Sequence, residues 1–207
     1  MIWQVIAAIL LSYVAGSIPT GLWVGKWLRG VDIREHGSCN IGATNTLRVL
    51  GKKLGALALA GDVGKGLLAV LVIARMGGDW PYTPLACGLA AIFGHIAPVF
   101  LKFKGGKGVA TSTGVFLALA PLATLIAACV FAAVVCATRM VSAGSLSAAT
   151  ALLIAVYILP HGWATYPTHA LPHGWALRIV ATVVALLVFV RHRTNVQRIL
   201  KGEENRF

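Results

Sequence analysis

Residues 108–138 read GVATSTGVFLALAPLATLIAACVFAAVVCAT, thirty-one residues without a charge and with one proline, Pro121. At about 1.5 Å of rise per helical residue the stretch would reach roughly 46 Å, too long for one crossing of a ~30 Å hydrocarbon layer and short for two full ones. Its reading sets the fold, because it fixes on which side of the membrane everything downstream lies. If the chain turns at Pro121, it crosses seven times with the N-terminus outside. The inner segments then hold Lys26, Arg29, Arg34, Arg48, Lys52, Lys53, Lys65, Lys102, Lys104, Lys107, Arg139, Arg191, Arg193, Arg198, Lys201 and Arg206, which is 16 of 18 basic residues, leaving Arg75 and Arg178 outside. With a single crossing, Arg139 and the basic tail fall on the opposite face from the other basic loops. Only the first arrangement obeys the positive-inside rule.

The flanking segments fit this frame. Met1 to Gly25 is uncharged, and the first basic residue is Lys26. A cleaved leader carries its positive charge ahead of the apolar run, so this reads as a retained first helix. Leu54 to Ala74, residues 82–101, Val141 to Pro160 and Trp175 to Val190 are the other apolar runs. The expected fold is an all-α membrane protein of seven transmembrane helices. Its N-terminus is outside, its C-terminus cytoplasmic, its fourth and fifth helices short, and residues 1–207 form a single domain.

Composition excludes the other classes. Across 207 residues, 58% are hydrophobic and 12% charged, about half the usual charged share, and mean hydropathy is +0.82. No soluble domain of this size hides that much apolar surface, and disorder, collagen and coiled coil are excluded too. A formal charge of +12 would suggest nucleic acid in a soluble chain. Here the inner loops account for it. Cys39, Cys87, Cys129 and Cys136 form no CxxC pair, so neither a disulfide framework nor a zinc site is expected. Leu-Pro-His-Gly-Trp-Ala occurs at 159–164 and again at 171–176. His161 and His173 are copies within that repeat, so with His169 they read as a duplicated outer loop rather than a metal cluster.

Polar chemistry gathers in the inner segments. Gly37-Ser38-Cys39-Asn40-Ile41-Gly42-Ala43-Thr44-Asn45-Thr46-Leu47-Arg48 combines glycines, neutral donors and one guanidinium between two helices, the make-up of an anion pocket. Lys104-Gly105-Gly106-Lys107-Gly108 precedes a helix start. A nucleotide P-loop would need glycine at Leu101, so that motif fails, while a glycine-rich anion cradle at a helix N-terminus remains. In Arg191-His192-Arg193-Thr194-Asn195-Val196-Gln197-Arg198, helical spacing puts His192, Asn195 and Arg198 on one face, with Ser142 and Ser145 near Arg139 at an inner turn. Asp62 and Lys65 pair within the membrane if their helix starts early, and are interfacial if it starts near 65.

These clusters carry a resemblance. Gly37-Ser38-x-Asn40-Ile41-Gly42-Ala43-Thr44-Asn45-x-x-Arg48 is followed by Gly94-His95-x-x-Pro98-Val99-Phe100-x-x-Phe103-Lys104-Gly105-Gly106-Lys107-Gly108-Val109-Ala110-Thr111 and then His192-Arg193-x-Asn195-Val196-x-Arg198. In this order they resemble the three motifs of the bacterial integral-membrane acyl-phosphate:glycerol-3-phosphate acyltransferases. Cys39 stands where glycine is more usual, and Val196 where isoleucine is.

The resemblance implies seven helices in the bacterial inner membrane, a site facing the cytoplasm, and transfer of a fatty acyl group from acyl phosphate to the 1-hydroxyl of glycerol 3-phosphate. The products are lysophosphatidic acid and phosphate. It implies that Ser38, Asn40, Thr44, Asn45, Gly105 and Gly106 hold the acyl phosphate, and that Arg48, Lys104, Lys107 and Ser142 hold the glycerol 3-phosphate. His192 and Asn195, with Lys107, would serve catalysis, the base being His192 or the leaving phosphate. It implies no metal, no cofactor and no nucleic acid, and a monomer in the lipid bilayer. No Ser-His-Asp or HxxxxD arrangement is present, and an already activated acyl phosphate needs no covalent enzyme intermediate. A transporter of a phosphorylated metabolite is the competing expectation, since glycine-broken helices and basic inner loops suit it as well.

Overall fold

The computed structural model describes residues 2–159 and 174–206, and among these all regular structure is helical. The chain forms two compact units, Met1–Val115 and Phe116–Phe207. His161, His169 and His173 lie outside the described residues.

The first unit holds α1 (Ile2–Gly16), α2 (Thr20–Arg29), α3 (Ala43–Leu50), α4 (Lys52–Leu71), α5 (Thr83–Ile96) and the start of α6 (Val109–Leu119). The apolar run expected as one helix over 1–25 is broken: α1 and α2 meet at 44°. Pro19 is the cause, since it has no N–H and disfavours helical backbone at Ile18. The next run begins earlier than expected. α4 starts at Lys52 and passes into a 3-10 turn ending at Gly77, a continuous apolar span of 26 residues. Asp62 and Lys65 therefore lie well inside it, both buried. Lys65 leaves the inner-loop charge count, which stays lopsided without it.

Glycines set how closely these helices approach. A Cβ on Gly16 would strike the Ala91 carbonyl of α5, and one on Gly94 the Tyr13 carbonyl of α1. Between α4 and α6 the same holds for Gly66 against the Thr111 carbonyl and Gly114 against the Val63 carbonyl. Backbone-to-backbone contact of this kind is how helices associate where lipid removes the hydrophobic drive.

In the second unit α7 (Pro121–Thr138) packs on α8 (Val141–Ile158), and α8 on α9 (Gly174–Arg191). A short α10 (Arg193–Leu200) follows a break at His192. Pro121 is the first residue of α7, where a missing N–H is harmless, so the long uncharged stretch divides at the expected place. Its halves are unequal: α6 has 11 residues and α7 the full 18 needed for a crossing. Among the described residues five helices are long and apolar enough to span, or six with the bent α1–α2 pair. Leu125 of α7 and Leu186 and Val190 of α9 are more than half exposed, an arrangement stable only with hydrocarbon around it.

Gly94→Val forces α1 and α5 apart and should abolish a monodisperse, cooperatively unfolding protein in detergent. Gly64→Ala, at a site open to 4 Å, should leave the melting temperature unchanged within error.

Candidate active site

The first polar cluster is shaped by one amide. Asn45, buried at the start of α3, donates from Nδ2 to the carbonyls of Ile33 (2.7 Å), Asn40 (2.9 Å) and His36 (3.1 Å), and its Oδ1 accepts from the Ser38 N–H at 2.8 Å. Asn40 folds back in the same way, its Oδ1 accepting from the Gly42 N–H at 2.9 Å. The 37–42 loop therefore has a fixed form before any ligand arrives, with Ser38 half-buried in it and Thr44 half-buried in the first turn of α3. Arg48 stands in the last turn of α3. Outside the loop, Asp32 accepts from the Arg34 guanidinium (2.6 and 2.9 Å) and pairs with Lys26 (3.1 Å). The Arg34 hydrogen bonds hold its carboxyl well below the usual carboxylate range, and Arg34 is raised in turn.

The second cluster rests on His95. Its backbone carbonyl accepts the Gly106 N–H at 3.0 Å, and its ring lies where a Cβ on Gly106 would have to be. A Cβ on Gly105 would meet the His95 carbonyl and Pro98. The turn is reached through Lys102 and Phe103, both left-handed at φ 50° and 63°, a strain of about 1 kcal/mol for each non-glycine residue. Below the turn, Lys65 Nζ lies 2.8 Å from His95 Nδ1, 2.9 Å from the Ile18 carbonyl and 2.9 Å from Asp62 Oδ1. An ammonium only donates, so Nδ1 accepts and the ring proton sits on Nε2, on the side of Gly106. At the head of α6 the buried hydroxyls of Thr111 and Ser112 have no hydrogen-bond partner among the described residues. A glycine turn leading into a helix start, with Lys107 beside it, suits an anion.

The third cluster lies in the second unit. His192 Nδ1 is 2.8 Å from the Val188 carbonyl. A carbonyl only accepts, so Nδ1 carries the proton and Nε2 is the acceptor of the neutral ring, as a base requires. Asn195 Nδ2 and Ser142 Oγ both donate to Glu204 Oε1, at 2.7 and 2.9 Å, and Arg198 Nε donates to Oε2 at 3.0 Å. Burial raises the Glu204 carboxyl, but the hydrogen bonds from Asn195, Ser142 and Arg198 outweigh it and hold it below the ordinary glutamate value.

The first unit thus brings Gly105, Gly106 and Lys107 to one turn and Ser38, Asn40, Thr44 and Asn45 to one loop, while Lys104 stays exposed. Asn45, expected to bind the acyl phosphate, has an amide that holds the loop together. Ser142 has one hydroxyl proton, and here it is directed to Glu204 in a hydrogen bond. Glu204 was missed in the sequence, where it looks like part of a solvated tail. The available signal was an acidic residue six positions beyond Arg198 in a chain with only six acidic residues.

Fold and site define an all-helical integral membrane protein with anion-suited loops and a buried His–Asn pair. The profile of a family described as glycerol-3-phosphate acyltransferase matches residues 6–202. A glycerol-3-phosphate acyltransferase from Trichlorobacter lovleyi is 46% identical over 196 residues, covering 95% of this chain and 94% of the relative. One from Myxococcus xanthus is 46% identical over 202 residues, covering 97% and 98%. Among solved structures, the glycerol 3-phosphate form of PlsY (YgiH), an integral membrane glycerol 3-phosphate acyltransferase, superposes with a TM-score of 0.85 at 36% identity, covering 98% of this chain and 95% of that one. Its lysophosphatidic acid form gives 0.84 at 35%. The chain belongs to the glycerol-3-phosphate acyltransferase family and is an integral-membrane acyltransferase.

Cys39 has φ 55°, in the left-handed region where glycine is unstrained. Cys39→Gly should keep full activity and stabilise by up to about 1 kcal/mol, read from thermal unfolding in detergent. Because the Glu204 value is depressed by folding, the tail contact is complete above the ordinary glutamate value and is lost as pH falls through the lower folded one. Hydrogen exchange of amides 193–206, corrected for intrinsic rate, should therefore show constant protection from pH 8 to about pH 5 and loss below it. Glu204→Gln should be less protected throughout and flat with pH.

Proposed function

We propose that this chain transfers a fatty acyl group from acyl phosphate to the 1-hydroxyl of glycerol 3-phosphate, releasing lysophosphatidic acid and inorganic phosphate. The carrying observation is kinship over residues 6–202 with glycerol-3-phosphate acyltransferases, joined to a close structural likeness to a relative solved in glycerol 3-phosphate and lysophosphatidic acid forms. The donor is the one that the three-motif resemblance implies, and the loops support it. They suit phosphate groups, contain no nucleotide-binding motif, and include no nucleophile–base pair for an acyl-enzyme.

In the proposed reaction the hydroxyl oxygen attacks the acyl carbon and the carbon–oxygen bond to phosphate breaks. The proton goes to His192 Nε2 or to the departing phosphate. The Gly105–Gly106 backbone, Ser38, Asn40 and Thr44 hold the acyl phosphate and its developing oxyanion, and Asn45 acts by fixing their loop. Arg48, Lys104 and Lys107 hold the phosphate of the acceptor; Ser142 joins them when its hydroxyl turns from Glu204. Asn195 orients the attacking hydroxyl beside His192. Residues 1–207 work as one enzyme, a monomer crossing the bacterial inner membrane seven times with the N-terminus outside and the site cytoplasmic. The basic residues of the loops support that orientation.

Purified protein given acyl phosphate and glycerol 3-phosphate should release phosphate and lysophosphatidate in equal amounts, each dependent on the acceptor. Acyl phosphate consumed without lysophosphatidate would sink the reading. Arg48→Ala should raise the KM for glycerol 3-phosphate and lower kcat/KM by about a hundredfold, the loss of one charged hydrogen-bonding partner, with the melting temperature kept.

A further inference from the structure

A buried ion pair in mid-membrane is an unusual thing for α4 to carry, because a hydrophobic pair of similar size is often as stable or more so. Nothing in the acyl-transfer chemistry above uses Asp62 or Lys65. Yet Lys65 is 6% exposed and Asp62 1%, and the ammonium touches three different segments: the Ile18 carbonyl at the α1–α2 break, Asp62 on its own helix, and the His95 ring on α5. Asp62 Oδ1 also lies 3.6 Å from His95 Nδ1. His95 is the residue under the Gly105–Gly106 turn, through its carbonyl and its ring.

We propose that Asp62 and Lys65 are positioning residues for the acyl-phosphate turn: the ammonium fixes the His95 ring, and that ring fixes the Gly105–Gly106 backbone. The inference rests on the reading of that turn as the acyl-phosphate cradle. Asp62 holds the ammonium, the ammonium holds Nδ1 as acceptor, and Nε2–H is thereby kept on the side of Gly106. Glycine is required at 106 because the ring occupies the space of a side chain. A ring released from Lys65 is able to turn about its own bonds and no longer supports the Gly105–Gly106 turn, leaving only the carbonyl of the two His95 contacts. The effect falls first on the acyl phosphate, since the Gly105–Gly106 backbone is its proposed ligand.

The test uses the full-length enzyme in detergent. Asp62→Asn combined with Lys65→Met removes both charges together and leaves no unpaired ion in the span. The expected result is a KM for acyl phosphate raised by about tenfold or more, with the KM for glycerol 3-phosphate within about twofold and the melting temperature kept. Unchanged kinetics would overturn the proposal, as would an equal loss on both substrates that tracks a fall in melting temperature. Should the double variant not fold, His95→Gln and His95→Leu decide, because both leave the ion pair intact. The glutamine amide accepts from Lys65 and presents N–H toward the turn, so His95→Gln should stay near wild type for acyl phosphate while His95→Leu shows the selective rise. Equal behaviour of the two would overturn the proposal. Wild-type enzyme that makes no lysophosphatidate would remove the acyltransferase reading and this inference together; active wild type with unshifted variants removes this inference alone.

Discussion

The first unit is organised around one buried ammonium. A lysine inside an apolar span must have its N–H donors met by the protein, because no water is there to meet them. Lys65 finds a main-chain carbonyl, a carboxylate and a ring nitrogen at 2.8–2.9 Å, and these come from different segments of chain. Each requirement shapes a neighbour. Ile18 turns its carbonyl toward Lys65 because the helix is interrupted at Ser17–Pro19, and there it accepts from both the Lys65 ammonium (2.9 Å) and the Thr20 N–H (3.1 Å). His95 has its tautomer chosen for it. The crossing glycines, Gly16 and Gly94, then bring α1 and α5 close enough for these contacts to exist.

The polar loops follow a second rule: form is imposed by side chains that face inward, leaving the backbone to face outward. Asn45 gathers three carbonyls and one N–H, and His95 underlies the glycine turn. In the second unit a carboxylate does the same work, with Glu204 gathering Ser142, Asn195 and Arg198. Rigid donors in place before the substrate arrives are what an oxyanion site needs, since no reorganisation then accompanies the reaction. Left-handed backbone at Cys39, Lys102 and Phe103 is the strain that accompanies such fixed turns.

What could be read from the sequence was whatever composition and spacing encode directly. Uncharged runs gave the spans, and Pro121 marked the division of residues 108–138 because a proline's effect is local. Glycine-rich loops between spans announced the anion chemistry. The bend at Pro19 was equally local and was passed over, since the charge-free run around it suggested continuity. Asn45 and Glu204 were hidden for a different reason: both act through partners distant in sequence or on another element, and an amide facing inward is written with the same letter as one facing a ligand. Asp62 and Lys65 were ambiguous only because the start of α4 was, and with the helix beginning at Lys52 their depth follows.

The buried pair also bears on why this enzyme is built in the membrane at all. The proposed donor, an acyl phosphate, presents an apolar chain and a charged head, so a site for it must hold a strong anion at the edge of hydrocarbon. A loop at that edge has little apolar surface to pack against and would ordinarily be mobile. Packing cannot hold it, so directed polar contacts must, and these are strong only where water is absent. Placing Lys65 and Asp62 below the glycine turn rather than beside it puts those contacts on the dry side. The same low dielectric that makes an unpaired charge there so unfavourable makes a fully paired one a stiff support.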